Sequence, residues 1–239
     1  MNKEKRYSLS MVVPALNEED LLEDFIRKSV KDLSQVADDF EIILINDGST
    51  DKTLEIANKL TKEFKQLKII DLGRNFGTGA SIIPGFKSAS KDIVFNNTVD
   101  AFFDTKDLPE LLPYLENFDV VSGYRSDLKA NNFYQKILTI CNYNLIKLLF
   151  GLNLKAFQTL QFHRNSFFKE VNIEARSSFL SPELLIKANN MGKSIKEVEI
   201  VFHARKKGES KGGRPYQVIR SISDILKFWF LWNILKKIK

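Results

Sequence analysis

Short apolar runs alternate with amphipathic stretches over the first hundred residues, in a regular order. Ser8-Leu9-Ser10-Met11-Val12-Val13 is an apolar run stopped by Pro14, and Asn17-Glu18-Glu19-Asp20 offers capping and acidic first-turn residues to the amphipathic stretch Leu21 to Leu33. Phe40-Glu41-Ile42-Ile43-Leu44-Ile45 is a second strand-like run, closed by Asn46-Asp47-Gly48-Ser49-Thr50-Asp51 and followed by helical periodicity from Thr53 to Phe64. Leu67 to Leu72 predicts a third strand, Gly73 to Gly77 a turn, Ala80 to Ala89 a helix, and Lys91 to Asn97 a fourth strand. Strands this apolar, separated by helices, predict an α/β fold whose mostly parallel sheet is covered on both faces, with ligands outside the carboxyl ends of the strands. The loops after the strands are therefore where chemistry is expected.

Composition narrows the picture without deciding it. The chain has 239 residues, 44% hydrophobic and 28% charged, enough to bury a full sheet in one large domain. Its single cysteine, Cys141, excludes an intrachain disulfide and a thiolate zinc site, suits a reducing cytoplasmic compartment, and reads as a small buried apolar residue. The first six residues, Met1 to Arg6, lack the apolar core of a signal peptide. A net charge of +6 suits phosphate-rich ligands or an anionic membrane surface, although many lysines lie on amphipathic stretches whose polar faces water alone would explain.

The loops carry an ordered series. Val12-Val13-Pro14-Ala15-Leu16-Asn17-Glu18-Glu19, Ile45-Asn46-Asp47-Gly48-Ser49-Thr50-Asp51 and Gly73-Arg74-Asn75-Phe76-Gly77 are followed by Val120-Val121-Ser122-Gly123-Tyr124-Arg125, Ser181-Pro182-Glu183-Leu184-Leu185 and His203-Ala204-Arg205-Lys206-Lys207-Gly208-Glu209-Ser210-Lys211. In order and spacing this resembles the family 2 glycosyltransferases, in particular the dolichol- and polyprenyl-phosphate sugar transferase branch, over roughly residues 8 to 214. The resemblance implies a GT-A fold, with a Rossmann-like, mostly parallel sheet and C-terminal amphipathic helices. It also implies a donor site for a UDP- or GDP-sugar, with Asp47 at the base, Pro14 and Ala15 beside it, and Asn17 and Glu18 near the ribose. Gly48, Ser49, Asn75 and Gly77 would let backbone approach the ligand, and Arg74, Arg125 and Ser210 would complete the contacts. Read from residue type alone, residues 47–50 are equally a turn with a helix cap, and Glu18 and Glu19 are helix-dipole residues.

Two departures from the family pattern stand out. Members of the family place an Asp-X-Asp at the end of the fourth strand to hold Mg²⁺ or Mn²⁺ against the donor diphosphate. Aligned through Asp104 and Asp107-Leu108, this chain keeps Asp100 and carries Thr98 at the first position, while Asp104 and Asp107 read as helix caps. One carboxylate can hold such an ion weakly with the help of phosphate oxygens. The second departure is the stretch Leu154 to Arg164, which has no acid where relatives carry an Asp near the acceptor. A phosphate acceptor is already anionic and tolerates that loss better than a sugar hydroxyl, which needs a base. Glu183 remains as an acceptor-side acid or a helix-dipole residue. Arg205 and Lys211, with Ser210, are the cations expected to stabilise the leaving diphosphate, on a glycine-rich loop that would act as a lid.

Residues 1–215 read as the glycosyltransferase domain and 216–239 as an amphipathic helix for a membrane interface or a dimer contact, joined by the amphipathic stretch 133–150. The expectation is an inverting transfer from a nucleotide sugar to a polyprenyl phosphate in cell-envelope glycan assembly, peripheral on the inner face of the cytoplasmic membrane. No nucleic-acid partner is expected. The alternatives are a glycan acceptor, or a non-catalytic nucleotide-sugar-binding homologue.

Overall fold

A computed structural model of the chain describes residues 7–99, 102–124, 133–157, 160–203 and 215–234. Three β-α units and a fourth strand open it: β1 (Tyr7–Ala15), α1 (Leu22–Val36), β2 (Ala37–Asn46), α2 (Thr53–Glu63), β3 (Leu67–Asp71), α3 (Thr78–Ser81), α4 (Ile83–Ser88) and β4 (Ile93–Asn96). Then come β5 (Phe102–Phe103), α5 (Leu108–Leu111), β6 (Val120–Tyr124), α6 (Phe133–Phe150), β7 (Gln161–Arg164), α7 (Asn165–Glu170), α8 (Leu180–Asn190), β8 (Ile195–Glu199), β9 (Phe202–His203) and α9 (Pro215–Trp229). The sheet has seven strands in the order β3-β2-β1-β4-β7-β6-β8, all parallel to their neighbours except β7, which is antiparallel to β4 and β6. One buried cluster, with Leu9, Met11, Val13, Ile42 and Leu44, lies under α1, α2 and α5. The other, with Val12, Ile43, Ile45 and Val94, lies under α4, α7, α8 and α9. Period-2 alternation along each strand feeds both layers, as expected of a sheet covered on two faces.

Three local expectations need correction. Pro14 does not stop β1, which continues through Pro14↔Ile45 to Ala15↔Asn46. Val12 accepts from Asn97 toward β4 and Ala15 from Asp47 toward β2, so alternation turns Pro14 toward the side where β4 has already ended, and its missing N–H costs no ladder bond. The helix expected over 80–89 breaks at Ile82 into α3 and α4, because Pro84 cannot donate to the preceding turn. Gly85 lets α4 press onto the sheet, where a Cβ would stand 2.3 Å from Val12 Cγ1. Cys141 is exposed, on the outward side of α6 with Ile137, Ile140 and Leu148. Its neighbours on that face are apolar, so composition there does not report burial. On α9, Ser221, Ile225 and Phe228 pack inward while Ile219, Ile222 and Leu226 face out. Among the described residues no helix is long and apolar enough to cross a membrane.

A polar knot lies in the sheet itself. Glu41, 1% exposed on β2, accepts from Ser10 Oγ at 2.7 Å, from the Ser90 backbone at 2.6 Å and from Lys68 Nζ at 2.6 Å. Burial pushes its carboxyl up, but the bonds from Lys68, Ser10 and Ser90 outweigh it and hold the group down at about 2. Stability from this site is therefore full above the unfolded value of 4.5 and lost as pH falls from there toward 2. Glu41→Gln is expected to cost roughly 2–3 kcal/mol at neutral pH, and urea titrations at pH 7 and pH 3 should show that deficit shrinking in acid.

Candidate active site

The ends of β1, β2 and β3 are tied to one another before any ligand is considered. Asp47, 3% exposed, follows β2 and donates its own N–H to Ala15 O at 2.9 Å. Its carboxylate accepts the backbone N–H of Phe76 at 2.7 Å and of Gly77 at 3.0 Å. It thereby pins the turn after β3 beneath the end of β2. Gly48 (φ 75°) allows the two loops to touch, since a Cβ there would lie 2.5 Å from the Arg74 carbonyl carbon. Asn75 Oδ1 also accepts from the Gly77 N–H at 2.8 Å, and the Arg74 guanidinium lies 4.6 Å from the centre of the exposed Phe76 ring.

The loop after β1 is held the same way. Asn17 takes a positive φ of 56°, accepts the Thr50 N–H at 2.8 Å and donates its N–H to Ser49 Oγ at 3.1 Å. The Glu18 N–H meets Thr53 Oγ1 at 2.8 Å, while Glu19 Oε2 accepts from the Lys52 N–H at 2.9 Å. Residues 17–20 were expected to cap α1, but the N-cap of α1 is Leu21, without a side-chain bond. Their polar groups clasp residues 49–53 across 32 to 35 positions of sequence, where the nearby N–H groups at the start of α2 need acceptors. Pro14 and Ala15 stand at the end of β1 beside this clasp.

At the end of β4, Asn97 is the residue that sequence reasoning missed. Buried to 4%, it donates from Nδ2 to Phe103 O at 2.9 Å and accepts the Phe103 N–H at 3.3 Å, closing the loop that carries Thr98 and Asp100. Asn97 also donates its N–H to Val12 O, so this loop springs from the strand beside β1. Asp104 caps the following 3₁₀ turn by accepting the Lys106 N–H, and it pairs with Lys28 of α1. Asp104 is thus engaged elsewhere, and among the described residues no three His, Cys, Asp or Glu side chains could share a metal ion. Asp100, Arg125, Arg205, Ser210 and Lys211 lie outside the described residues. The chain on either side of two of them is described. β5 and β9 form an antiparallel ribbon, Phe102↔His203 and Phe103↔Phe202, which puts the residue two after Asp100 beside the residue two before Arg205. A two-residue pairing carries no periodicity, so sequence could not have shown it.

Glu183 corrects an expectation. It is fully buried on α8, where its carboxylate accepts the N–H of Glu174 at 2.8 Å and of Ala175 at 2.7 Å and pairs with Lys187 at 3.0 Å. Lys187, 2% exposed, also donates to Asn172 O. Burial pushes the Glu183 carboxyl above the usual range against the two N–H groups and Lys187. Glu183 is a brace for residues 172–175 and not an acid facing an acceptor. His163, buried on β7 and stacked 4.7 Å from Phe167, is held down to about 3 by burial and stays neutral, so it supplies no charge either.

Two outcomes follow from these contacts. Asp47→Ala should release the turn after β3 at a cost of about 1–3 kcal/mol, visible as faster hydrogen exchange at the Phe76 and Gly77 amides while β1 stays protected. Glu183→Ala strands the buried Lys187 and should cost about 3–5 kcal/mol in denaturant titrations, with Glu183→Ala/Lys187→Met recovering much of the loss.

Similarity to known proteins extends over most of the chain. The family model described as Glycosyl transferase family 2 matches residues 10–171. A dodecaprenyl-phosphate galacturonate synthase of Rhizobium johnstonii is 30% identical over 229 residues, 92% of this chain and 67% of that protein. An undecaprenyl-phosphate 4-deoxy-4-formamido-L-arabinose transferase of Edwardsiella ictaluri is 28% identical over 86% of this chain and 63% of its own length. The chain thus spans about two thirds of the length of these relatives. Glucosyl-3-phosphoglycerate synthase from Mycobacterium tuberculosis, solved with Mn²⁺, UDP-glucose and phosphoglyceric acid, shares the fold with a TM-score of 0.71 at 20% identity, covering 93% of this chain and 80% of that one. With a family model matched over more than half of the chain and a relative 30% identical over two thirds of its own length, this chain belongs to glycosyl transferase family 2.

Proposed function

We propose that the chain transfers a sugar, with inversion, from a nucleotide-sugar donor to a polyprenyl phosphate in cell-envelope glycan assembly. The observation that carries this reading is the convergence of strand ends. The clasp around Asp47 holds the loops after β1, β2 and β3 together, and the β5–β9 ribbon pairs residues 102–103 with 202–203, which stand next in sequence to the segments of Asp100 and Arg205. A UDP- or GDP-sugar would lie along these loops, with Pro14, Ala15 and Asp47 toward the base and Arg74 with the basic segment toward the diphosphate. Asn17, Glu18, Gly48, Ser49, Asn75 and Gly77 frame that cleft through their backbones. An oxygen of the acceptor phosphate would attack the anomeric carbon as the bond to the donor diphosphate breaks, and the nucleoside diphosphate would leave with the electron pair. Arg205 and Lys211, with Arg125 and Ser210, are assigned to that growing charge.

The proposed acceptor class is supported by the engagement of two candidate acids. Glu183 braces the interior, Asp104 is paired with lysine, and the segment after Leu154 has no acid, so none of these three candidate places supplies a base for a sugar hydroxyl. A phosphate needs none. The names of the polyprenyl-phosphate relatives point the same way. Mg²⁺ or Mn²⁺, if bound, would neutralise the donor diphosphate, and the residue assigned to hold it is Asp100, with the neutral Thr98 beside it. The outward apolar stripes of α6 and α9 suit a peripheral place on the inner face of the cytoplasmic membrane, with residues 216–239 as the interfacial helix beyond a domain of 1–215, and the same stripes would serve a homodimer.

A second reading, a nucleotide-sugar-binding homologue without catalysis, is favoured by Thr98 at the first position of the metal motif. Calorimetry with UDP- and GDP-sugars, with and without Mn²⁺, followed by a transfer assay to undecaprenyl phosphate, separates the two. The expected outcome is metal-dependent donor binding and a lipid-linked sugar product, with Asp100→Ala weakening donor binding at least about tenfold in Mn²⁺. Binding without any product supports the second reading. Absence of binding to either nucleotide sugar overturns both.

A further inference from the structure

A groove of about 800 Å³ opens just past the carboxyl end of β3, where Leu72 and the turn carrying Phe76 face the outer side of α4. Its walls are apolar, formed by Leu72, Ile83 and Pro84 with the ring of Phe76, and three cations line it: Lys87 from α4, Arg176 from the segment before α8, and Arg220 from α9. Among the described residues none of the three has a carboxylate within ion-pair distance. Asp224 of α9 accepts the Arg176 backbone N–H at 3.1 Å. The brace of Glu183 and Lys187 holds residues 172–175 and so sets where Arg176 stands.

Apolar walls with unpaired cations call for an amphiphile. A free nucleotide or sugar phosphate would leave the walls wet, and an apolar peptide would leave three cations without partners. The groove also shares α9 with the outward stripe of Ile219, Ile222, Leu226 and Phe230, of which Ile219, next to Arg220, is 67% exposed. A helix lying in a membrane interface would present that stripe to the acyl region and the groove mouth to the headgroups. We propose that this groove is a binding site for an anionic bilayer phospholipid, whose phosphate meets Lys87, Arg176 and Arg220 and whose first acyl carbons lie along Leu72, Ile83 and Pro84. The site borders the turn after β3 that the proposed donor cleft also uses, and phospholipid binding there does not require the transfer reaction.

The test is flotation of the whole chain with phosphatidylcholine vesicles that contain or lack phosphatidylglycerol. Wild type is expected to prefer the phosphatidylglycerol vesicles, and Arg176→Gln/Arg220→Gln to lose about thirtyfold on them, the factor implied by two cations at about 1 kcal/mol each. Binding to phosphatidylcholine alone should not change. Arg176→Lys/Arg220→Lys should restore most of the preference, which separates charge from misfolding, and Leu226→Ser should weaken binding to both vesicles alike. Equal binding of wild type to both vesicles overturns the proposal, as does a Gln double variant that keeps the preference. A double variant that keeps the preference and loses transfer to undecaprenyl phosphate in detergent assigns the groove to the acceptor, which overturns it too.

Discussion

A buried carboxylate bonded to two backbone N–H groups holds the working end of this molecule together. Asp47 sits at the carboxyl end of β2, and its two oxygens take the amides of Phe76 and Gly77. Out of water a carboxylate must be matched by donors, and backbone amides at a turn are donors that need an acceptor. Each satisfies the other, so the turn after β3 cannot lift without leaving both unpaired. Gly48 completes the constraint, because its lack of a side chain lets the Arg74–Asn75 backbone lie against it. The loop after β1 joins through Asn17, Glu18 and Glu19. Three loops that are far apart in sequence are thus joined into one wall by contacts that need no ligand.

The other half of the site is shaped by the reversal of β7. Because β7 runs antiparallel between β4 and β6, the chain after it returns through α7 and α8 on one face, and the Glu183–Lys187 pair anchors residues 172–175 there. The same return brings residues 202–203 against 102–103. Glu183, a candidate acid by sequence, is consumed in the interior of this construction, while Asp104 caps a turn as its sequence position predicts and also pairs with Lys28.

The outer surface divides along similar lines. α6 and α9 bury one side each in the second core cluster and leave Ile137, Ile140, Leu148, Ile219, Ile222 and Leu226 outside. Contiguous apolar side chains on a water-facing surface lower the free energy only when something covers them. The exposed Cys141 belongs to that face, which is why its residue type was a poor guide to its burial.

The alternation of apolar runs and amphipathic stretches was enough to read the first four strands, two of the long helices, the parallel core of the sheet and the strand ends where loops gather. Those features depend on near-neighbour periodicity, which sequence carries directly. The ordered loop motifs carried the family for the same reason, since residue type and spacing survive without coordinates. Four things were decided only by the fold: the continuation of β1 through Pro14, the interior role of Glu183, the closure of the 97–103 loop by Asn97, and the β5–β9 ribbon. Pro14 is tolerated because β4 ends beside it, and Glu183 is buried because unpaired amides eight and nine residues away needed an acceptor. Each depends on what stands next to a residue in space, and hydrogen-bond demand between distant segments leaves no periodic trace in the chain.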